Sequence, residues 1–205
     1  MSEMNDPVNE YERRYGSYLQ AVAASLRAHI EGYLVGVRNV DRVTARAKEP
    51  GRFAEKARRT DERGHAKYQK PLTEIQDQLG ARVIVFYRED VVTVGGIVTR
   101  YFQAIEQRDL VPESQWAFGY FGQHFVLPTP RDVVPAGVHV EEVPRFFELQ
   151  IKTLFQHAWS EANHDLGYKA QEPLSMDQER RLAFTAAQAW GADRIFAELR
   201  AELVR

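Results

Sequence analysis

The chain contains no cysteine. Disulfide staples, thiolate zinc sites and cysteine nucleophiles are therefore excluded, and a reducing compartment is permitted. No apolar run approaches the roughly 20 residues that span a bilayer. The opening residues, MSEMNDPVNEYERRYG, lack the apolar segment of a secretory signal. Both absences point to a cytoplasmic protein without membrane contact. Charge of one sign is not in excess either. The 27 Lys and Arg face 29 Asp and Glu, a formal net charge of -2, so any anion site must come from local clustering and not from a global field. Also missing are G-x-x-x-x-G-K-[ST], G-x-G-x-x-G, H-E-x-x-H and G-x-S-x-G. Phosphate binding by a P-loop or Rossmann turn, zincin chemistry and a serine nucleophile on an elbow have no carrier here.

What is present suffices for a full core. With 205 residues, 44% hydrophobic and 11% aromatic, the chain is expected to form one domain over residues 1–205. Helical spacing from Tyr11 to Val35 predicts a long first helix within residues 1–40, stopped near Gly36. A charged stretch follows, in which Pro50 is placed to open a helix. PLTEIQDQLG reads as a short helix ending at Gly80, and ARVIVFY as a central strand. DVVTVGGIVTRYFQAIEQ returns to a helical pattern that Gly95 and Gly96 weaken. FGYFGQHFVLP and RFFELQIKT read as two more strands, and LFQHAWSEANHDLGYK and the segment 176–205 as closing helices. Helices before, between and after a few strands imply a mixed sheet with helical cover, an α+β fold.

One strand carries an anomaly. With Phe147, Leu149 and Ile151 facing a core, alternation puts Phe146, Glu148, Gln150 and Lys152 on the opposite face. A carboxylate there needs a cation, a metal or a solvent-filled cleft. A second anomaly is basic: Arg42, Arg46, Lys48, Arg52, Lys56, Arg58 and Arg59 lie within eighteen positions holding only two acids, Glu49 and Glu55. On a helix from Pro50, Arg52, Lys56 and Arg59 share one face, a stripe that suits a polyphosphate or, alternatively, a solvated helix surface. Asp77 is a helix-end residue on its own. Paired in space with Glu148 it supplies two hard oxygen donors for Mg²⁺. In GYFGQH, Tyr120, Gly122 and His124 share a strand face where a nucleobase has room to stack above Gly122, or where the rings simply pack. His157, Glu161 and His164 recur at helical spacing. A single E-x-x-H pair does not make a di-iron site, so their expected role is to orient the acid or the phosphates, with Leu154, Ala158, Trp159 and Ala162 as core.

In this order, RAKEPGRFAEK, DQLGARVIV, GYFGQH and ELQIKTLFQHAWSEANHDLGYK resemble the synthetase domain of the RelA/SpoT family over about residues 43–169. The resemblance implies a nucleotidyltransferase-like mixed sheet flanked by helices. The implied reaction transfers the β,γ-pyrophosphate of ATP to the 3′ hydroxyl of GDP or GTP, with Mg²⁺, and releases AMP. Carried over by position, Arg46, Lys48 and Lys56 correspond to ATP contacts, and Arg52 stands where the family usually has serine. Asp77 and Glu148 correspond to the metal ligands, Glu148 also being placed to take the 3′ hydroxyl proton. Tyr120 corresponds to the base-stacking tyrosine of the acceptor, with His124 beside it. Gln150, Lys152, His157 and His164 are expected to support them. Lys152 replaces the arginine of E-x-Q-x-R-T, losing its bidentate geometry. Trp116 and Phe118 occupy the stretch where the family commonly has lysine and asparagine. Fewer than fifty residues precede the basic segment, as in the short synthetase-only members. For those, a homo-oligomer, an antitoxin partner, and an adenosine nucleotide or tRNA as acceptor are further expectations. A catalytically inactive nucleotide-binding module is the remaining alternative.

Overall fold

The structure, a computed structural model, describes residues 6–109, 122–169 and 173–203. Pro7 opens α1 (Pro7–Arg14) behind Asp6, whose carboxylate accepts from the Val8 amide at 3.1 Å. A π turn at Tyr15–Leu19 carries the chain into α2 (Gln20–Tyr33), and Gly36 reverses it at φ 81°, a conformation a Cβ would oppose. Then follow β1 (Val40–Ala47), α3 (Pro50–Ala57), the single turn α4 (Pro71–Glu74), β2 (Leu79–Val85) and α5 (Arg88–Tyr101). The remaining elements are β3 (Glu106–Asp109), β4 (Gln123–Pro128), β5 (Phe146–Thr153), α6 (Leu154–Lys169) and α7 (Met176–Leu203). Among the described residues the strands form one mixed sheet in the order β1-β2-β5-β4-β3, with β2 and β5 parallel and the other neighbours antiparallel. The expected α+β architecture is met.

Register divides the sheet into two faces. Ala81, Val83, Phe125, Leu149 and Ile151 are buried and pack with Val22 and Leu26 of α2 and Val94 and Val98 of α5. On the opposite face, Arg46, Gly80, Glu148 and Val126 form one row across four strands, and Thr44, Arg82, Gln150, His124 and Arg108 the next. Gly95 is admitted to α5 because the helix runs close to β4. A Cβ there would lie 2.4 Å from the Gln123 side-chain oxygen.

Several boundaries differ from the expectations. The charged segment before Pro50 contains β1, whose Val43 and Ala47 are buried while Arg42, Thr44 and Arg46 are exposed, the alternation of a one-sided edge strand. Glu106–Asp109 is a strand too, all polar and at the other edge. The helix expected to reach Gly80 stops at Glu74, since Ile75 is extended and buried. The Gln78 side chain then donates to the carbonyls of Leu72 (2.9 Å) and Ile75 (2.8 Å), closing a tight turn before β2. The basic helix ends at Ala57, so Arg58 and Arg59 lie beyond it, exposed, and the stripe stops at Lys56.

The change of period after Glu148 has a local cause. The Thr153 hydroxyl accepts from the Gln156 amide at 3.1 Å, and the Gln156 side chain accepts from the Thr153 amide at 2.9 Å. This reciprocal capping box starts α6 where β5 ends. The hydroxyl also donates to Asp193 of α7 at 2.6 Å. Of the four α6 residues expected in the core, Ala158 and Ala162 are exposed and Leu154 and Trp159 only half-buried. The reason is that α6 packs on α7 at the periphery, where the Trp159 indole donates to the Thr185 hydroxyl at 3.2 Å.

Candidate active site

The turn after α4 sets Asp77 at φ -95°, ψ 30°, outside helical geometry, and aims its carboxylate at the basic segment. Oδ2 accepts from Lys48 Nζ at 3.0 Å and from Lys56 Nζ at 2.9 Å. One lysine follows β1 and the other lies on α3, so two elements converge on one oxygen. Oδ1 is buried and has no partner among the described residues. Burial pushes the Asp77 carboxyl up, but the two ammonium groups outweigh it and hold it below the ordinary range.

Glu148 lies on β5 opposite Gly80 of β2, where a Cβ would meet nothing within 4 Å. Its Oε1 is 3.1 Å from His124 Nδ1 of β4. Burial again pushes the acid up, and the hydrogen bond and charge of His124 bring it below the usual value. Nε2 of His124 and Oε1 of Gln150 are buried without partners among the described residues. Lys152, two residues beyond Gln150, is almost fully buried and donates to the Ser160 hydroxyl of α6 at 3.0 Å. Burial and the neighbouring Arg82 lower its ammonium pKa to about 8.

Two cavities meet at these acids. The first, about 430 Å³, is lined by Arg46, Lys48, Arg52, Arg82, Gln150 and His164. The second, about 380 Å³, is lined by Lys56, Tyr68, Glu106, Arg108 and His124. Asp77 and Glu148 belong to the walls of both. The structure thus brings together Arg46, Lys48, Arg52, Asp77, Glu148, Gln150 and His164, with Lys56 and His124 opening on the other side.

Two α6 residues contact arginines that line the first cavity. Glu161 is 2.7 Å from Arg82, and His164 Nε2 is 3.4 Å from Arg52 Nη1. His157 lines neither cavity, and burial lowers its pKa. Tyr120, Trp116 and Phe118 lie outside the described residues. Gly122 does not provide the open platform expected of it, because a Cβ there would sit 2.0 Å from the Ile151 carbonyl oxygen. Its missing side chain is taken up by the close approach of β5. Arg82 and Arg108 were missed by sequence reasoning. The signal was their strand register with Gln150 and His124, which only the pairing reveals.

The donor set fits Mg²⁺. Two carboxylates held ionised, one with a buried free oxygen, are hard ligands that leave other positions to water and phosphate. Among the described residues no cluster of three or more His, Cys, Asp or Glu could form an all-protein cage, and no helix among them is long and apolar enough to cross a membrane.

Comparison with known proteins agrees in sequence and in fold. A family model described as a region found in RelA / SpoT proteins matches residues 45–173. The chain is 28% identical over 205 residues to GTP pyrophosphokinase YjbM of Bacillus subtilis (strain 168), covering 95% of this chain and 90% of that protein. It is similar in structure to the small alarmone synthetase 1 from Bacillus subtilis bound to its product pppGpp. That match has a TM-score of 0.75 and 25% identity, covering 96% of this chain and 99% of the other. A GTP pyrophosphokinase family protein from Streptococcus pneumoniae matches with a TM-score of 0.74 and 27% identity, covering 95% and 94%.

Proposed function

Because the chain belongs to the RelA/SpoT family, we propose that it is an ATP-dependent pyrophosphokinase that uses GDP or GTP as acceptor and makes ppGpp or pppGpp. The observation that carries this reading is the shared wall. Asp77 and Glu148 separate a cavity rich in fixed cations from a second one, so a pyrophosphoryl group bound in the first can be passed to an acceptor in the second.

Arg46, Lys48 and Arg52 hold the ATP phosphates, arginine by paired donors and lysine as a point charge. In the transfer, the acceptor 3′ oxygen bonds to the β-phosphorus, the bond from that phosphorus to the α,β-bridging oxygen breaks, and AMP leaves. Asp77 and Glu148 would hold Mg²⁺, which when bound supplies charge neutralisation at the phosphoryl oxygens. Lys48 and Lys56 keep Asp77 ionised and facing the metal position. His124 orients Glu148, whose carboxylate takes the proton from the 3′ hydroxyl, and Tyr120 stacks on the acceptor base. Catalysis in this scheme is positioning and electrostatics.

The test is γ-labelled ATP with Mg²⁺ and, separately, GDP, GTP, ADP, ATP and deacylated tRNA. Label on GDP or GTP with stoichiometric AMP supports the proposal. Label on an adenosine nucleotide or tRNA replaces the acceptor and favours a toxin-like synthetase with an antitoxin partner. Nucleotide binding without transfer leaves an inactive module. We further propose that the enzyme works in the cytoplasm and self-associates through α7. That helix buries only Ala186 and Asp193 and exposes Phe184, Ile195, Phe196 and Leu203. A monomeric mass in solution would remove the second point.

A further inference from the structure

The lysine pair on Asp77 is held from behind by a residue of the first helix that neither cavity contains. Tyr11 is fully buried. Its hydroxyl donates to the Lys48 carbonyl at 2.7 Å and lies 3.4 Å from the Gln78 carbonyl. The Lys48 amide itself donates to that Gln78 carbonyl at 2.8 Å. One hydroxyl therefore ties together the backbone of Lys48 and the residue next to Asp77, whose side chains form the ion pair. The Tyr11 ring also stacks on Phe53 with centroids 3.9 Å apart and planes 5° from parallel. Phe53 is one of the two buried residues of α3, next to Arg52 and one turn before Lys56, so the same side chain fixes the helix that carries both cations.

The hydroxyl is maintained as a donor. Burial, then the nearby Tyr15, Asp77 and Glu49, raise its pKa far above neutrality. The two tyrosines of the π turn that follows α1 show that this placement is specific. Tyr18, also buried, donates to the Glu142 carbonyl at 3.0 Å, away from both cavities. Tyr15 reaches Glu49 at 2.7 Å at an exposed position.

We propose that Tyr11 is a positioning residue for phosphoryl transfer, acting through the Lys48 and Gln78 carbonyls and the Phe53 ring to set the Lys48-Asp77-Lys56 triad. This rests on the reading of the first cavity as the ATP site. Removing the hydroxyl frees two carbonyls from a shared donor and lets Lys48 and Asp77 drift apart. Misplacement of such groups by fractions of an ångström is what positioning catalysis does not tolerate.

The experiment compares the wild-type chain with Tyr11→Phe and Tyr18→Phe. Both variants lose the hydroxyl of a buried tyrosine, one in α1 and one in the π turn that continues it, and keep the ring. Three quantities are read: transfer kinetics, calorimetric binding of a non-hydrolysable ATP analogue with Mg²⁺, and hydrogen exchange at the Lys48 amide. For Tyr11→Phe the expected result is a fall in kcat of at least tenfold and analogue binding about fivefold weaker at unchanged stoichiometry. The acceptor KM should stay within twofold, and Lys48 exchange should be at least tenfold faster. Tyr18→Phe should match the wild type in all three. A structural role alone would lower the binding-competent fraction, hence stoichiometry, and leave affinity intact. Unchanged affinity and exchange in Tyr11→Phe would overturn the proposal, as would equal effects in Tyr18→Phe. If the wild type binds no analogue, the reading of the cavity fails instead, and Lys48 exchange still decides whether Tyr11 fixes the backbone there.

Discussion

The two cavities on either side of Asp77 and Glu148 are close in volume and unlike in charge. The first gathers Arg46, Lys48, Arg52 and Arg82 against Glu49 and the two shared acids. The second sets Lys56 and Arg108 among Glu74, Glu106 and aromatic or imidazole groups. A concave surface lined by fixed cations binds a triphosphate by charge alone. A mixed surface has to recognise its occupant by hydrogen bonding and stacking as well. On the proposed function, this difference favours the first cavity for the polyanionic donor and leaves the more selective task to the second. It also makes the shared acids the one place where a single change damages both.

The largest expected effect is therefore at the wall. Asp77→Asn and Glu148→Gln keep size and remove charge. Each is expected to lower kcat on the order of 10³-fold, the scale of losing a preorganised charge in a transition state, with the circular dichroism spectrum unchanged. Activity within tenfold of wild type for either variant would break the division into donor and acceptor sides. The next largest effect is structural and falls where β4 meets β5. Gly122→Ala places a Cβ against the Ile151 carbonyl oxygen at 2.0 Å, so β4 must move off β5. A loss of about 3 kcal/mol is expected, visible as a midpoint lower by about 6–12 °C.

These effects fall on residues that the sequence exposed unequally. Glu148 was legible because strand alternation made a lone acid on β5 conspicuous, and the basic run was legible because it was locally dense. Helical spacing likewise gave α1, α2, α3 and α6 nearly as observed. The edge strands were not legible. β3 is four polar residues without an apolar face, and β1 hides its alternation among arginines. Arg82 and Arg108 were hidden for the same reason, since their place in the site comes from cross-strand register and not from spacing. Gly122 was misread because a glycine in a strand signals either open space or close approach, and only the neighbouring β5 decides which. Tyr11 was taken for one apolar position of a helix, and its hydroxyl acts on residues 37 and 67 positions away.

A pair of single substitutions sharpens the comparison at a smaller scale. Arg52 lines only the first cavity and Arg108 only the second. Arg52→Ala is expected to raise the KM for ATP about tenfold and the KM for the acceptor less than twofold, and Arg108→Ala the reverse. Tenfold corresponds to about 1.4 kcal/mol, close to one charge-assisted hydrogen bond. If both variants raised both constants equally, the cavities would be one continuous site.

The smallest effect is a titration. Lys152 is buried beneath the donor side, next to Arg82, with a pKa of about 8 in the folded chain, against about 10.4 in an unfolded one. As pH rises through 8 the folded protein loses this proton before the unfolded chain does. Between about pH 8 and 10.4 the unfolded state binds more protons, so the contribution of Lys152 to stability rises with pH. Activity should move the other way, because the donor side loses a positive charge. From pH 7.5 to 9 the kcat/KM for ATP is expected to fall about threefold, on the scale of a weak charge interaction, while the acceptor KM stays level. Lys152→Met should remove this group's share of both trends, leaving a flatter alkaline limb and a smaller rise in melting midpoint relative to the wild type. An alkaline loss that persists in Lys152→Met would place the titrating group elsewhere. A fall that appears in the acceptor KM instead would show that the two cavities are not electrostatically separate.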